Sequence, residues 1–146
     1  MCISIKKTVI LCVIGGLVYC GIETFWRGHT HWSMFLVAAL LSLPLDQINE
    51  RLDWDTPVWL QAIYGGIGIT ITELIAGVIL NIWLGMEVWN YTALPFNFLG
   101  QICLKYSLLW VLLACIGIVL FDFLRWKLFG ERKPQYTWRF KKKVRP

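Results

Sequence analysis

Four apolar runs decide what this chain can fold into. They cover about residues 8–26, 32–48, 58–84 and 101–124 of 146. A helix needs roughly 20 apolar residues to cross a bilayer, and all but the second run reach about that length. Hydrophobic residues make up 58% of the chain, and its mean hydropathy is +0.61. A soluble domain of this size has no interior large enough for so much apolar surface, so the missing solvent is lipid. The expected fold is an all-α integral membrane protein with four transmembrane helices.

Charge sets the count and the orientation. Lys6 and Lys7 precede the first run, and nine of the fourteen Lys and Arg residues lie from Arg125 to Arg145. Positive residues stay on the cytoplasmic side, so both termini are expected there. Two ends on one side require an even number of crossings. The second run must then cross, although only 14 residues separate His31 from Asp46. It is expected to be short, kinked at Pro44 and shielded by its neighbours. No small-residue cleavage site follows the first run, which reads as a span and not a signal peptide. Residues 1–130 form a single membrane domain, and 131–146 a basic cytoplasmic tail that orients the chain and touches the lipid surface. The pI near 9.1 describes that tail. No base-reading module accompanies it, so nucleic acid is not an expected partner.

Aromatic residues mark the two interfaces. Trp26, Trp32, Trp83, Trp89 and Tyr91 belong to the outer belt, and Trp54, Trp59 and Trp126 to the inner one. Trp110 falls in mid-span and packs or lines something. The five cysteines, Cys2, Cys12, Cys20, Cys103 and Cys115, form no C-x-x-C, and those beside apolar runs behave as small hydrophobes. Asp46 and Asp122 sit near the inner boundary, and Arg125, three residues after Asp122, reads as its orienting ion-pair partner. A faint repeat is present: Gly15-Gly16 precedes Glu23 as Gly65-Gly66 precedes Glu73, at an offset of fifty residues. It would make the fold two parallel helical hairpins.

Ionisable groups within a bilayer cost at least ~2.5–3.5 kcal/mol at mid-depth, so each needs a reason. At 1.5 Å per residue, Glu23 lies about 22 Å from Thr8 and Glu73 about 21 Å from Trp59, both in the outer third of the core. Glu23 and Arg27 are a favourable i,i+4 pair. They either anchor the helix end or grip a polar group of a ligand. Glu73 has no partner on its own helix. It is either protonated or paired with a base from elsewhere, with Arg27 and Lys105 the candidates. Gly77 and Asn81 share its helix line. Asn97, Gln101 and Lys105 are spaced i, i+4, i+8, a polar stripe if the last helix extends back to Asn97. His29 and His31 form an H-x-H that would need Glu23 or Glu73 to complete a metal site. Alone it reads as polar anchoring or proton handling, and no metal or other cofactor is expected. The candidate substrate-binding set is Glu23, Arg27, Glu73, Asn81, Asn97 and Gln101, with His29, His31 and Lys105 as possible proton or ligand contacts.

There is no Walker A loop, G-x-S-x-G, H-E-x-x-H or dinucleotide fingerprint. Nothing here marks an enzyme, and no catalytic residue is assigned. The run Glu23-x-x-Trp26-Arg27-Gly28-His29-Thr30-His31-Trp32-Ser33-Met34 resembles the signature of the ABC-transporter type IV membrane proteins of bacteria. Residues Asn81 to Gly85, Val88 to Tyr91 and Leu94 to Cys103 are similar to that family's second half. The resemblance implies a multi-span, permease-like protein of the bacterial inner membrane. The chain carries no ATPase, so ATP coupling would need a separate subunit. Four short spans enclose little, which points to a homo- or hetero-oligomer. A transport-related subunit with an outward-facing polar site is the first expectation. A structural or regulatory lipid-binding protein, or an enzyme acting on a lipid-linked substrate, are the alternatives.

Overall fold

A computed structural model describes residues 5–53 and 55–140, without the side chains of Asn49 and Glu50. Cys2, Trp54 and the basic residues after 140 lie outside the described residues. Among those described, four helices carry the fold: α1 (Ile5–Arg27), α2 (Trp32–Arg51), α3 (Val58–Gly77) and α4 (Leu104–Phe129). The turns of α3 widen into a π-helical segment at Val78–Trp83. A two-stranded hairpin, β1 (Asn97–Phe98) and β2 (Ile102–Cys103), leads into α4. Three of the helices, Ile5–Arg27, Val58–Trp83 and Leu104–Phe129, are long and apolar enough to cross a membrane, whereas the apolar stretch of α2, Trp32–Ile48, is shorter.

The last helix starts at Leu104 and not at residue 101. Asn97 pairs with Cys103 and Phe98 with Ile102 in antiparallel register. The backbone of residues 97–103 is spent on that ladder, closed by Gly100 at φ +66°, so the helix cannot extend back to Asn97. At its other end α4 runs past residue 124 to a left-handed cap at Gly130, whose N–H returns to the carbonyl of Arg125.

The helices pack as two hairpins, α1 on α2 and α3 on α4, with α2 meeting both α4 and α3 between them; α1 touches α4 only lightly, and α3 still less. Paired glycines let the backbones approach. A Cβ on Gly16 would lie 2.7 Å from the ring of Phe35, and one on Gly66 would lie 2.5 Å from the side chain of Val111. Gly15 faces Ser42 of its own hairpin and Phe121 of the other, while Gly65 faces Ala114 of its own and Leu45 of the other. Two of the three matched contact pairs are 76 positions apart, from 35 to 111 and from 45 to 121, and the third, Ser42 with Ala114, is 72 apart.

One end of the bundle holds the 28–31 turn and the 85–103 loop, and is called the turn end here. The opposite, tail end is tied by charge. The guanidinium of Arg125 forks onto both carboxylate oxygens of Asp46, with Nη2 to Oδ2 at 2.7 Å. Its Nη1 reaches Glu131 at 2.8 Å, and Lys7 reaches Glu131 at 3.0 Å. The sequence pairs Arg125 with Asp122; the structure adds Asp46 and Glu131, and gives Asp122 the phenol of Tyr136 at 2.7 Å. Residues 131–140 dock against the bundle. The Val58 amide donates to the Thr137 carbonyl at 2.9 Å, and the Trp59 indole to the Trp138 carbonyl at 3.2 Å. Burial works against charge on Glu131, but the hydrogen bonds from Lys7 and Arg125 hold its carboxyl below the usual range.

Candidate functional site

Two carboxylates are buried near the turn end, and their surroundings differ. Glu23, 6% exposed, is fully neutralised. Arg27 donates to one of its oxygens at 2.8 Å, and the hydroxyl of Thr30 donates to the other. The second arm of Arg27 reaches the Val88 carbonyl at 3.3 Å. The same residue's amide donates to Asn81 Oδ1 at 2.7 Å, and Asn81 Nδ2 donates to Gln101 Oε1 at 2.8 Å. Gln101 closes onto the Leu99 carbonyl at 3.1 Å. A line of polar contacts thus runs from α1 through the loop and the π-helical segment to the hairpin. Gly77 makes room for it: a Cβ there would fall 2.5 Å from Gln101 Oε1. The π-helical turn beside it carries Asn81, and such widened turns occur often at functional sites.

Glu73, also 6% exposed, has neutral partners among the described residues. The phenol of Tyr91 donates to Oε1 at 2.9 Å, and the indole N–H of Trp110 donates to Oε2 at 2.7 Å. Neither base expected from the sequence is there. Arg27 is committed to Glu23 and Val88, and Lys105 is exposed on the first turn of α4, 5.7 Å from the Tyr106 ring. Tyr106, stacked on Tyr91 with centroids 4.8 Å apart, and Trp110 form an aromatic wall. An ionised carboxylate buried in so apolar a bundle is costly unless it is paired. Two neutral hydrogen bonds satisfy lone pairs but cancel no charge, so the site is completed by a proton or by a cation.

Glu73 also lines a cavity of about 120 Å³. The walls are faces of α1, α2 and α4, with Tyr19, Trp89 and Trp110 around the carboxylate and Ser42, Leu45 and Phe121 further toward the tail end. Val18 and Ile22 of α1 and Ile116 of α4 line the cavity and are themselves 39%, 41% and 61% exposed, which places its mouth in the loose α1–α4 seam.

The other candidates separate. Asn97 is exposed and ties its own hairpin, donating to the Leu94 carbonyl at 2.8 Å and accepting from the Gly100 amide at 3.1 Å. The helical stripe of Asn97, Gln101 and Lys105 does not form, because the first two belong to the hairpin. His31 caps α2, its Nδ1 accepting from the Ser33 amide at 3.3 Å, and His29 is exposed. Among the described residues no three His, Cys, Asp or Glu side chains gather as a metal site would require. Trp89, assigned to the outer belt, is 4% exposed and packs with Met34 and Ala76, because the loop folds over the bundle and its indole donates to the Gln101 carbonyl at 3.0 Å. Trp26, Trp32 and Trp83 are exposed at the turn end. Sequence reasoning missed Tyr91 as a donor to Glu73, Thr30 on Glu23 and Tyr19 on the cavity wall. A signal for Tyr19 was available: a phenol one helical turn before Glu23 on a spanning helix.

Neither a curated protein nor a solved structure matches the chain. A family match extends over most of the bundle, from within α1 through α4 into the docked tail, and takes in every residue of both carboxylate clusters. The chain belongs to that family of membrane proteins, described as "Putative ABC-transporter type IV", which matches residues 18–140.

Proposed function

We propose that the protein is a permease-like, transport-related subunit of a bacterial inner membrane, with four spans, cytoplasmic termini and an outward-facing polar site. One observation carries the reading: Glu73, buried against a cavity of the bundle, is held by two neutral donors and no cation. A carboxyl so placed changes its interactions whenever a proton or cation arrives, which is what a coupled site needs. Glu23, Arg27, Asn81 and Gln101 form the polar frame beside it, and Asn97 shapes the hairpin above. Lys105 and His29, both exposed at the turn end, are positioned for first contact with a solute. The 20 residues of α2 span about 30 Å. Asp46, a deeply buried charge of α2, is covered by Arg125, which supports α2 as the fourth crossing. The matched glycine contacts support two parallel hairpins within a membrane domain of residues 1–130, followed by the tail. A separate ATPase subunit and a further copy or partner chain complete the proposed assembly.

The test is uptake by purified protein in proteoliposomes against a panel of solutes, with and without a proton gradient. Uptake of a solute that Glu73→Gln abolishes, with the variant folded, supports the proposal. No uptake of any solute class, alone or with its partner subunits, overturns it.

A second reading is favoured by the continuous line from Glu23 to Gln101, which joins α1, the loop and the hairpin. On that reading the polar residues only lock the helices of a structural or lipid-binding protein. Arg27→Ala and Glu73→Gln would then lower stability without a separable loss of activity.

A further inference from the structure

We infer that the Glu73 cavity is a binding site for a single-chain alkylammonium amphiphile, its cationic head at Glu73 and its chain along the cavity toward the tail end. This rests on the reading of Glu73 as a site residue and names the ligand class.

Shape argues for the chain. The lining residues of α4 run from Trp110 to Phe121, about 16 Å of helix. A volume of about 120 Å³ spread along that length is narrow. The enclosed part takes only a segment of one alkyl chain, the rest lying along the open α1–α4 seam, and it excludes a polycyclic body or a double-chained lipid. The walls are apolar, Leu41, Leu113 and Leu120 among them, with polar atoms chiefly at the Glu73 end. The mouth in the α1–α4 seam faces the surroundings of the bundle, from which an amphiphile would enter sideways.

Charge complementarity argues for the head. An ionised carboxylate offers about four lone-pair positions, and Tyr91 and Trp110 use two. The rest are left to a cavity whose lining, among the described residues, includes no Lys or Arg. Tyr19, Trp89 and Trp110 surround that end with aromatic rings, which attract an ammonium group. An anionic head would meet the carboxylate unfavourably, and an uncharged head would leave its compensation to a proton. With the head near the turn end the chain points toward the middle of the bundle, the direction an amphiphile takes in the leaflet on that side.

The test uses the full chain in phosphatidylcholine nanodiscs and a dodecylammonium probe with a photoreactive group at its chain end. Labelling is expected on Ser42, Leu45 and Phe121. Dodecyltrimethylammonium should compete, and dodecanol and dodecyl sulfate should not. Glu73→Gln should weaken labelling about tenfold or more, since a charge-assisted contact is lost. Gly117→Leu should abolish it with Glu73 intact: Gly117 lines the cavity, a Cβ there meets only Leu45 at 3.5 Å, and the longer side chain fills the space. Equal competition by dodecanol or dodecyl sulfate, undiminished labelling in Gly117→Leu, or labels confined to exposed faces such as Ile67 and Ile71 would overturn the inference. If Glu73→Gln does not fold, the competition series and Gly117→Leu still decide. Specific labelling without flux would leave this inference standing and remove the transport reading, and flux of other solutes without labelling would do the reverse.

Discussion

The donors on Glu73 make an asymmetric prediction about stability. An indole N–H can only donate, whereas a phenol both donates and accepts. A glutamine at position 73 turns its oxygen to Trp110 and its amide to the oxygen of Tyr91, so both contacts survive. Glu73→Gln should therefore change unfolding free energy by no more than about 1 kcal/mol. Trp110→Phe is different. It leaves Oε2 of a carboxylate that is 6% exposed without its donor at 2.7 Å. A buried acceptor left unsatisfied costs about 1–3 kcal/mol, toward the upper end for a charged group, and the smaller ring adds to the loss. Made in the Glu73→Gln background, the same change removes only a neutral hydrogen bond, so the double-mutant cycle should show coupling of about 1 kcal/mol. Reversible unfolding in mixed detergent micelles, followed by circular dichroism, reads all four proteins. Glu73→Gln as damaging as Trp110→Phe, or no coupling between them, would refute the assigned donors.

Three more expectations follow from the packing. Arg125→Leu should cost about 3–5 kcal/mol, because it strands Asp46, 2% exposed, with only the Gln47 amide at 3.1 Å; Asp46→Asn should cost less, since Arg125 keeps Glu131, and micelle unfolding compares them. Glu131 is held below the usual carboxylate range, so its contribution is complete above the unfolded value of about 4.3 and is lost as pH falls through the lower folded value; hydrogen exchange of residues 132–140 should rise only below about pH 4, and in Glu131→Gln should be fast already at pH 7. Gly66→Leu puts side-chain atoms into the Val111 backbone, 2.8 Å from the Cβ position, and should cost at least about 1–3 kcal/mol, whereas Gly68→Ala, with nothing within 4 Å, should be tolerated; thermal unfolding separates them.

Hydropathy and charge made the helices legible because a bilayer leaves so few alternatives. The ends of α1, and of α3 taken with its π-helical continuation to Trp83, fall close to the expected residues, and α2 runs through Pro44 to Arg51 as one element. The start of α4 was misread because i, i+4 spacing at Asn97, Gln101 and Lys105 is compatible with a helix while a local hairpin claims the same backbone. Periodicity carries no signal for a two-residue strand or for the widened turn at Val78–Trp83. The pairing of Glu23 with Arg27 was visible because it is local. The partners of Glu73 were not: Tyr91 and Trp110 come from 18 and 37 positions away, and only folding brings them together. Trp110 was visible as an oddity, an indole in mid-span with a donor to satisfy, but nothing in the sequence says which acceptor it meets.

The central claim is that two buried carboxylates on different helices do different work, Glu23 holding the frame and Glu73 meeting the ligand. Glu23→Gln and Glu73→Gln, purified and reconstituted side by side, test it when unfolding free energy and flux per folded molecule are measured on the same samples. Glu23→Gln should lose stability and keep its flux per folded molecule, whereas Glu73→Gln should keep its stability and lose its flux. Flux that falls in both variants only in proportion to the folded protein would contradict the account.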